Sequence, residues 1–218
     1  MPTNNRRTPM GTSKDSEKTR TRLIEAAGQL FAQKGFSAVT VRDIAKTADT
    51  HLSALNYHFR TKEALYREVL IVACQADSVS ANDKQHLLQL EPHNALFLLV
   101  KESLLEYRKQ AASNWRSALV ARECREPSHA FDEIAKDYLE PETQFLAELI
   151  GRVVSKSAAD HQVRFAVLSL IALIETFGLY PHLIDAVAPG LDDYFKKSDA
   201  LARHITHLVI AAANPLAD

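Results

Sequence analysis

The sequence predicts an all-α protein in which a short basic N-terminal module precedes a longer acidic body. Of the 218 residues 46% are apolar, whereas only 6 are Gly and 8 are Pro. Apolar residues recur three and four positions apart and seldom alternate with period two, which favours helices over strands. Residues 1–62 carry 11 Lys and Arg against 5 Asp and Glu, and the remainder carries 15 against 22. This asymmetry is typical of a protein whose basic part binds nucleic acid.

The first two predicted helices are separated by a turn. The first runs from about Asp15 to Lys34 and ends at Gly35, which suits a left-handed C-terminal cap. At the start of the second, Thr40 and Asp43 stand three residues apart, close to a capping box with Asp in place of Glu. The apolar stripe of this short helix recurs at helical spacing and comprises Val41, Ile44, Ala45 and Ala48.

The third predicted helix, Leu52–His58, follows a break at residues 49–51. Leu55 and Phe59 point inward, while most of its other side chains are polar or aromatic and lie elsewhere. A helix this short is unstable alone, so the helices packed behind it must present its outer face. This is the arrangement of a helix-turn-helix, whose second helix enters the major groove of DNA.

A fourth helix is predicted from Thr61 or Lys62, and it leads towards the end of the N-terminal module. Residues 77–91 are polar and mixed, so they are predicted as a loop or a frayed connection before Pro92. The module is therefore expected to end within this loop or slightly before it. At 218 residues, one or two domains are expected.

Two C-terminal helices predict a homodimer. The helix at about 160–180 is apolar nearly all round, so both of its sides should be buried, one in the core and one against a second subunit. The final helix, at about 192–213, should lie beside it. The most apolar stretch, Phe165–Ile174, is about half the length of a membrane span and is flanked by Arg164 and Glu175, which predicts a buried helix.

A set of motif residues lies between about residue 18 and residue 66, namely Ala26, Ala27, Leu30, Phe31, Gly35, Phe36, Thr40, Asn56–Phe59 and Lys62–Leu65. With this spacing the segment resembles the DNA-binding domain of TetR-type transcriptional regulators. Asp49 and Thr50 stand where that family commonly has Gly and Val, and Asn56 stands where it commonly has Tyr.

A shorter resemblance lies in the body. Residues Arg122–Phe131 are similar to the R-E-x-x-x-P-[ST]-x-A-F stretch of the CecR-like subgroup, which the run Asn56–Phe59 also suits. The resemblance implies a ligand-responsive repressor of drug tolerance or efflux genes. The expected domains are then a disordered basic tail, a helix-turn-helix domain, and a helical effector-binding and dimerisation domain, at residues 1–14, 15–76 and 77–218.

The resemblance implies a set of DNA contacts. Leu52, Ser53 and Asn56 occupy base-facing positions, where Asn suits adenine and Leu suits a thymine methyl, although Leu52 also suits a contact with a neighbouring helix. Arg42 corresponds to a position that often reaches a guanine or a phosphate. Contacts with the DNA backbone, which position the protein without reading sequence, are expected from Thr40, Tyr57, His58, Thr61 and Lys62. His58 is equally suited to capping or packing.

An apolar small-molecule cavity needs aromatic side chains with a few polar groups. The candidates in the body are Tyr107, Arg108, Trp115, Arg122, Phe145, Glu175, Phe177 and Tyr180, and core packing is the alternative for each. Glu175 lies amid apolar residues and needs a partner, either an internal Arg or a ligand cation. Two functions remain: a dimeric repressor released from operator DNA by a small apolar effector, and a constitutive DNA-binding or protein-interaction module without an effector.

Other functional classes are disfavoured by the sequence. It contains no G-x-S-x-G, P-loop, dinucleotide-binding or zinc motif, so neither catalysis nor a cofactor is expected. His204 and His207 are three apart but have no acidic or cysteine partner at matching spacing, so no metal site is expected. Cys74 and Cys124 form no C-x-x-C pair and suit reduced thiols, with a redox switch as the alternative. The N-terminus lacks an apolar core, which favours a cytoplasmic protein without a membrane partner.

Overall fold

The computed structural model describes residues 13–76, 78–110, 115–191 and 199–214, and the predicted all-α class is confirmed. The described residues form α-helices and one π-helical segment, Ala135–Leu139, without a β-strand. The α-helices are α1 (Ser13–Lys34), α2 (Val41–Thr47), α3 (Leu52–Phe59), α4 (Lys62–Ala76), α5 (Ala81–Gln89), α6 (Pro92–Gln110), α7 (Trp115–Arg125), α8 (Phe131–Ile134), α9 (Glu140–Val154), α10 (His161–Leu179), α11 (Pro181–Val187) and α12 (Ala200–Ala213).

The chain divides into two compact units. Unit 1 contains the described residues up to Ala76 together with Trp115–Ile134, and unit 2 contains the remainder. The first break between the two units falls at the end of α4. The segment Trp115–Ile134 differs from the expectation, because α7 packs against α1 and α4 instead of joining the helices of the body. Of the predicted tail, residues 1–12 lie outside the described part of the chain.

Helices α1, α4 and α7 pack against one another and form the base of unit 1. Phe31 of α1 meets Tyr66 of α4 edge-on, with ring centroids 4.8 Å apart, and Phe36 lies at the same distance from Tyr66. The predicted cap of α1 is confirmed, since Gly35 has a φ of 78° and its N–H donates to the carbonyl of Phe31. Helix α2 packs on α1, and α3 packs on α1, α2 and α4, so the base supports both short helices.

Unit 2 is a bundle in which α6, α9, α10 and α12 pack together and α5 packs on α6. Its core includes Leu96, Val100, Leu149, Ile150, Val163, Leu170, Ile205 and Val209, all fully buried. The predicted loop at residues 77–91 is wrong, because α5 forms there. The hydroxyl of Ser80 accepts a hydrogen bond from the backbone N–H of Asp83, and Leu87 is buried, so a cap and one apolar anchor stabilise this helix.

Helix α10 has one buried and one exposed apolar side. Val163, Ala166, Val167, Leu170 and Ile174 are buried, while Phe165 and Leu168 are 62% and 65% exposed. At 19 residues, α10 is longer than the apolar stretch considered in the sequence, and by length and composition alone it could cross a membrane. A third of its apolar stretch is buried within the protein. Residues 192–198 of the predicted final helix lie outside the described residues, and α12 supplies the rest.

Candidate nucleic-acid interface

The predicted capping box at the start of α2 is confirmed. The Thr40 hydroxyl accepts a hydrogen bond from the Asp43 backbone N–H at 3.2 Å, and the Asp43 carboxylate accepts one from the Thr40 backbone N–H at 3.1 Å. Hydrogen bonds from the hydroxyl and the backbone N–H of Thr40 hold the pKa of Asp43 below its ordinary value. Ile44, Ala45 and Ala48 are buried, so α2 is fixed on the base of the unit.

The turn between α2 and α3 depends on a left-handed residue. Asp49 has a φ of 48°, a conformation that Asp adopts more readily than most residues. The carbonyl of Asp49 accepts a hydrogen bond of 3.3 Å from the Arg22 guanidinium of α1. This turn sets the angle at which α3 leaves α2.

Helix α3 presents the residues expected to read bases. Leu55 and Phe59 are buried, as predicted, and they fix the inner side of the helix. Leu52, Ser53 and Asn56 are exposed, and their spacing places them on one side of the helix. The hydroxyl and carboxamide can bind base edges, and the exposed Leu can contact a methyl group.

The expected backbone-contact residues surround this surface. Tyr57 is 76% exposed, and Thr40, Arg42 and Thr61 are exposed as well. The hydroxyl of Thr61 accepts a hydrogen bond from the backbone N–H of Ala64 and thereby caps α4. His58 is half-buried, and its ring lies 5.1 Å from that of Tyr57 and 6.0 Å from that of Phe59, which favours the packing role among the alternatives.

Lys62 joins the start of α4 to the loop before α2. Its Nζ donates hydrogen bonds to the carbonyls of Phe36 and Val39, at 3.0 and 3.1 Å. The same Nζ lies 4.1 Å from the centroid of the Phe36 ring. An ammonium group has three N–H donors, and these two carbonyls account for two of them. The sequence did not reveal this internal role, because the carbonyl partners lie more than twenty positions earlier in the chain.

The stretch that resembles the CecR-like subgroup packs within unit 1 on α4 and on Phe36, which follows α1. Glu123 is buried and accepts a hydrogen bond from the hydroxyl of Tyr66, together with bonds from the Ser128 backbone N–H and hydroxyl. Burial, the hydrogen bond to Glu123 and its charge raise the pKa of Tyr66 above the ordinary tyrosine value. The ring of His129 lies 6.0 Å from that of Phe36. This stretch therefore helps to position α4.

Trp115 and Arg122, which the sequence analysis named as candidates for either a ligand cavity or the core, have partners within unit 1. The indole N–H of Trp115 donates to the carboxylate of Glu25 at 2.6 Å, and a side chain at Gly28 would overlap the indole ring. Arg122 forms an ion pair with Glu126 at 3.1 Å. The Trp115 indole thus packs beside α1, and the Arg122 guanidinium lies close to Gly35 at the end of α1.

The other hypothesised cavity residues lie on separate helices of unit 2. Tyr107 packs against Gly178, Phe145 is buried beneath the ammonium group of Lys84, and Phe177 packs against the core. Tyr180 is 47% exposed beyond the end of α10. Glu175 is half-buried, and the side chain of Arg108 lies outside the described residues.

A different groove is present in unit 2, between α9 and α10. Its volume is about 300 Å³, at the lower end of the range of small-molecule sites. The lining residues are Glu140, Thr143, Gln144, Ala147, Ala158, Arg164, Val167 and Leu168, and none of them is among the cavity residues expected from the sequence.

Comparisons with known proteins agree with this geometry. Residues 23–69 match the model of bacterial regulatory proteins of the tetR family, and residues 92–214 match the C-terminal domain of the HTH-type transcriptional dual regulator CecR. HlyIIR, a hemolysin II transcriptional regulator of known crystal structure, has the same fold. It aligns with a TM-score of 0.58 and 22% identity over 88% of this chain and 97% of that one.

Two relatives match shorter parts of the chain. The probable HTH-type transcriptional regulator YttP of Bacillus subtilis (strain 168) is 29% identical over 132 residues, 61% of this chain and 62% of that protein. The probable acrEF/envCD operon repressor of Escherichia coli (strain K12) is 34% identical over 94 residues, 43% of this chain and 41% of that protein. The chain thus spans less than two thirds of either relative. Because the CecR-type match alone covers more than half of this sequence, the chain belongs to the TetR family of bacterial transcriptional regulators, in the group with a CecR-type C-terminal domain.

Proposed function

We propose that this protein is a cytoplasmic homodimeric repressor that binds double-stranded operator DNA and is released by a small-molecule effector, without catalysing a reaction. The observation that carries the proposal is the outer side of α3, where Leu52, Ser53 and Asn56 are exposed while Leu55 and Phe59 are buried. The similarity to an operon repressor of Escherichia coli supports repression over activation.

In this proposal α3 enters the major groove and the surrounding residues bind phosphates. Asn56 suits a bidentate contact with adenine, and Leu52 suits a thymine methyl. Arg42 of α2 reaches a guanine or a phosphate. Contacts with the sugar–phosphate backbone are assigned to Thr40, Tyr57, Thr61 and the third N–H of Lys62.

The test is selection of duplexes from a random-sequence library by the full-length protein. A two-fold dimer presents two equal reading helices, so the selected sequences should be palindromic or nearly so. Asn56→Ala should change the preferred base at one or two positions, because a good base contact contributes about 1–3 kcal/mol. Tyr57→Ala should weaken binding to all duplexes alike. Absence of any enriched sequence would contradict the proposal.

The second subunit is assigned to the exposed apolar side of α10 and the adjoining α12. Phe165 and Leu168 of α10 are 62% and 65% exposed, and Leu208 of α12 is 43% exposed. Helices α10 and α12 pack together within unit 2, so these side chains suit one continuous contact surface. Light scattering at micromolar concentration should give a dimer for the wild type and a monomer for Leu168→Glu. Leu105→Glu, which changes an exposed leucine of α6, is the matched control and should remain dimeric.

The effector is assigned to the groove between α9 and α10 in place of the cavity first hypothesised. Its apolar lining includes Ala147, Ala158 and Val167, and its polar lining includes Gln144 and Arg164. An apolar molecule with one or two polar groups suits such a lining. An effector can weaken operator binding only if it prefers the arrangement that does not bind DNA, and such couplings are usually about 1–3 kcal/mol.

Titration of drugs and metabolites against the protein–operator complex tests the assignment of the effector to this groove. Ala158 lines the groove and Ala159 is exposed beside it, so Ala158→Leu should abolish the response to an active compound while Ala159→Leu preserves it. Both variants should bind the operator as the wild type does when no compound is present. If no compound in a broad panel of drugs and metabolites releases the protein from the operator, the constitutive alternative without an effector is preferred.

A further inference from the structure

The turn between α3 and α4 is formed by an arginine in an unusual conformation. Arg60 has φ and ψ of 60° and −48°. The backbone N–H of Thr61 donates to the carbonyl of Phe59 at 2.6 Å, a hydrogen bond between residues two apart. Together these features define a classic γ-turn, which is rare and strained. A residue with a Cβ seldom adopts a positive φ, and glycine is the usual occupant of such positions.

The residues on both sides of Arg60 impose this conformation. Phe59 is buried and anchors the end of α3. On the other side, Thr61 caps α4 through the backbone N–H of Ala64, and Lys62 is bonded to two backbone carbonyls. The chain must therefore reverse within a single residue. The fold requires the turn, but nothing in the described packing requires an arginine there.

The guanidinium group of Arg60 is available to a partner. Arg60 is exposed, and its side chain has no hydrogen bond or ion pair with any described residue of the protein. The neighbouring cation differs, because Lys62 directs two of its three N–H donors to the carbonyls of Phe36 and Val39. Arg60 also follows directly after α3, three positions beyond the exposed ring of Tyr57.

We propose that Arg60 is an additional DNA-contact residue whose guanidinium binds a phosphate at the edge of the groove that α3 enters. This inference rests on the proposed operator binding and adds a residue that the sequence analysis did not select. Guanidinium groups bind phosphate oxygens through a rigid fork of N–H donors. A phosphate is the expected partner because Arg60 lies at the C-terminal end of α3, whereas the N-terminal residues of a recognition helix contact the bases. The turn places this charge directly beyond the end of α3.

The experiment measures affinity for a duplex selected by the full-length protein, as a function of salt, for four proteins. Each phosphate contact contributes about 0.9 to the slope of log K against log salt concentration. Arg60→Gly should lower that slope by about this amount, and it should also raise the melting temperature because glycine adopts a positive φ without strain. Arg60→Lys should retain the slope, since it retains the charge. Arg125→Ala removes an exposed arginine at the end of α7 and should leave the slope unchanged.

The outcomes separate this inference from the proposed function. Salt-dependent binding of the wild type with a reduced slope for Arg60→Gly supports both. An unchanged slope for Arg60→Gly, whatever its melting temperature, would leave operator binding intact and overturn the role of Arg60. A reduced slope for Arg60→Lys or for Arg125→Ala would likewise count against a specific charge contact at this turn. If the wild type selects and binds no duplex, both proposals fail.

Discussion

The buried carboxylate of Glu123 in α7 accepts a hydrogen bond from the hydroxyl of Tyr66 in α4. Glu123 is 4% exposed, and its second oxygen accepts hydrogen bonds from the backbone N–H and the hydroxyl of Ser128 at 3.2 and 2.8 Å. A buried carboxylate depends on such donors because water cannot replace them. The pair therefore links α7 to α4, the helix that follows α3.

Tyr66→Phe should destabilise the protein. It removes one donor from a buried carboxylate while preserving the aromatic packing against Phe31, so the expected loss is about 1–3 kcal/mol of the free energy of unfolding. Urea denaturation gives this value. Tyr57→Phe is the matched control, because the Tyr57 side chain is 76% exposed and its hydroxyl can bond to water. Equal stabilities of the two variants would argue against the contribution of the Tyr66 hydrogen bond.

The same hydrogen bond predicts a loss of stability at alkaline pH. Burial and the neighbouring Glu123 raise the pKa of Tyr66 in the folded protein, whereas an unfolded tyrosine ionises near its ordinary value of 10.0. The contribution of the protonated Tyr66 to the free energy of unfolding is complete below pH 10 and declines as the pH rises further. It declines because Tyr66 releases its proton more readily in the unfolded state than in the folded state. Relative to Tyr66→Phe, the free energy of unfolding of the wild type should fall by up to about 1.4 kcal/mol per pH unit above pH 10. A constant difference between the two proteins from pH 8 to pH 11 would contradict this.

Lys62→Met should lower stability through the loss of internal contacts. The ammonium group joins α4 to the carbonyls of Phe36 and Val39, and hydrogen bonds to charged groups each contribute about 1.5–3 kcal/mol. We expect a loss of at least about 2 kcal/mol in the free energy of unfolding, since the two carbonyls also lose their donor. Lys46→Met, at an exposed position of α2, should change stability little. If Lys62→Met has the same free energy of unfolding as Lys46→Met, Lys62 has no structural role.

Local sequence patterns were sufficient to predict the helix-turn-helix. The Thr40–Asp43 cap, the buried positions Leu55 and Phe59 and the cap at Gly35 all depend on residues within four positions of one another. Periodicity and capping report such short-range relationships directly. The exposed sides of α2 and α3 follow from the same periodicity.

Long-range packing was not predictable in this way. Residues Trp115–Ile134 were expected in the body, yet Trp115 bonds to Glu25, ninety positions earlier. An aromatic residue on an apolar stripe suits a core and a ligand cavity equally, and periodicity does not identify its partner. Helix α5 was missed because a single buried residue, Leu87, and a Ser80 cap stabilise a segment with a polar composition. The backbone conformation of Arg60 likewise has no signature in its residue type.

The position of Trp115 leads to a prediction that uses its fluorescence. It is the only tryptophan in the sequence, and its ring lies directly over Gly28 of α1. Gly28→Ala should displace the indole ring, because the added methyl group would overlap it. The backbone at residue 28 cannot shift to relieve the overlap, since it is part of the rigid helix α1. Overpacking of this kind usually costs about 1–3 kcal/mol, while the gain in helix propensity from Gly to Ala offsets up to about 1 kcal/mol. The variant should therefore show a shifted tryptophan emission maximum and a lower midpoint of urea unfolding.

Gln29→Ala, at an exposed position of the same helix, is the control and should preserve both the emission and the midpoint. If Gly28→Ala leaves the emission unchanged, the indole does not pack against α1, and an assignment of Trp115 to the effector cavity would have to be considered again.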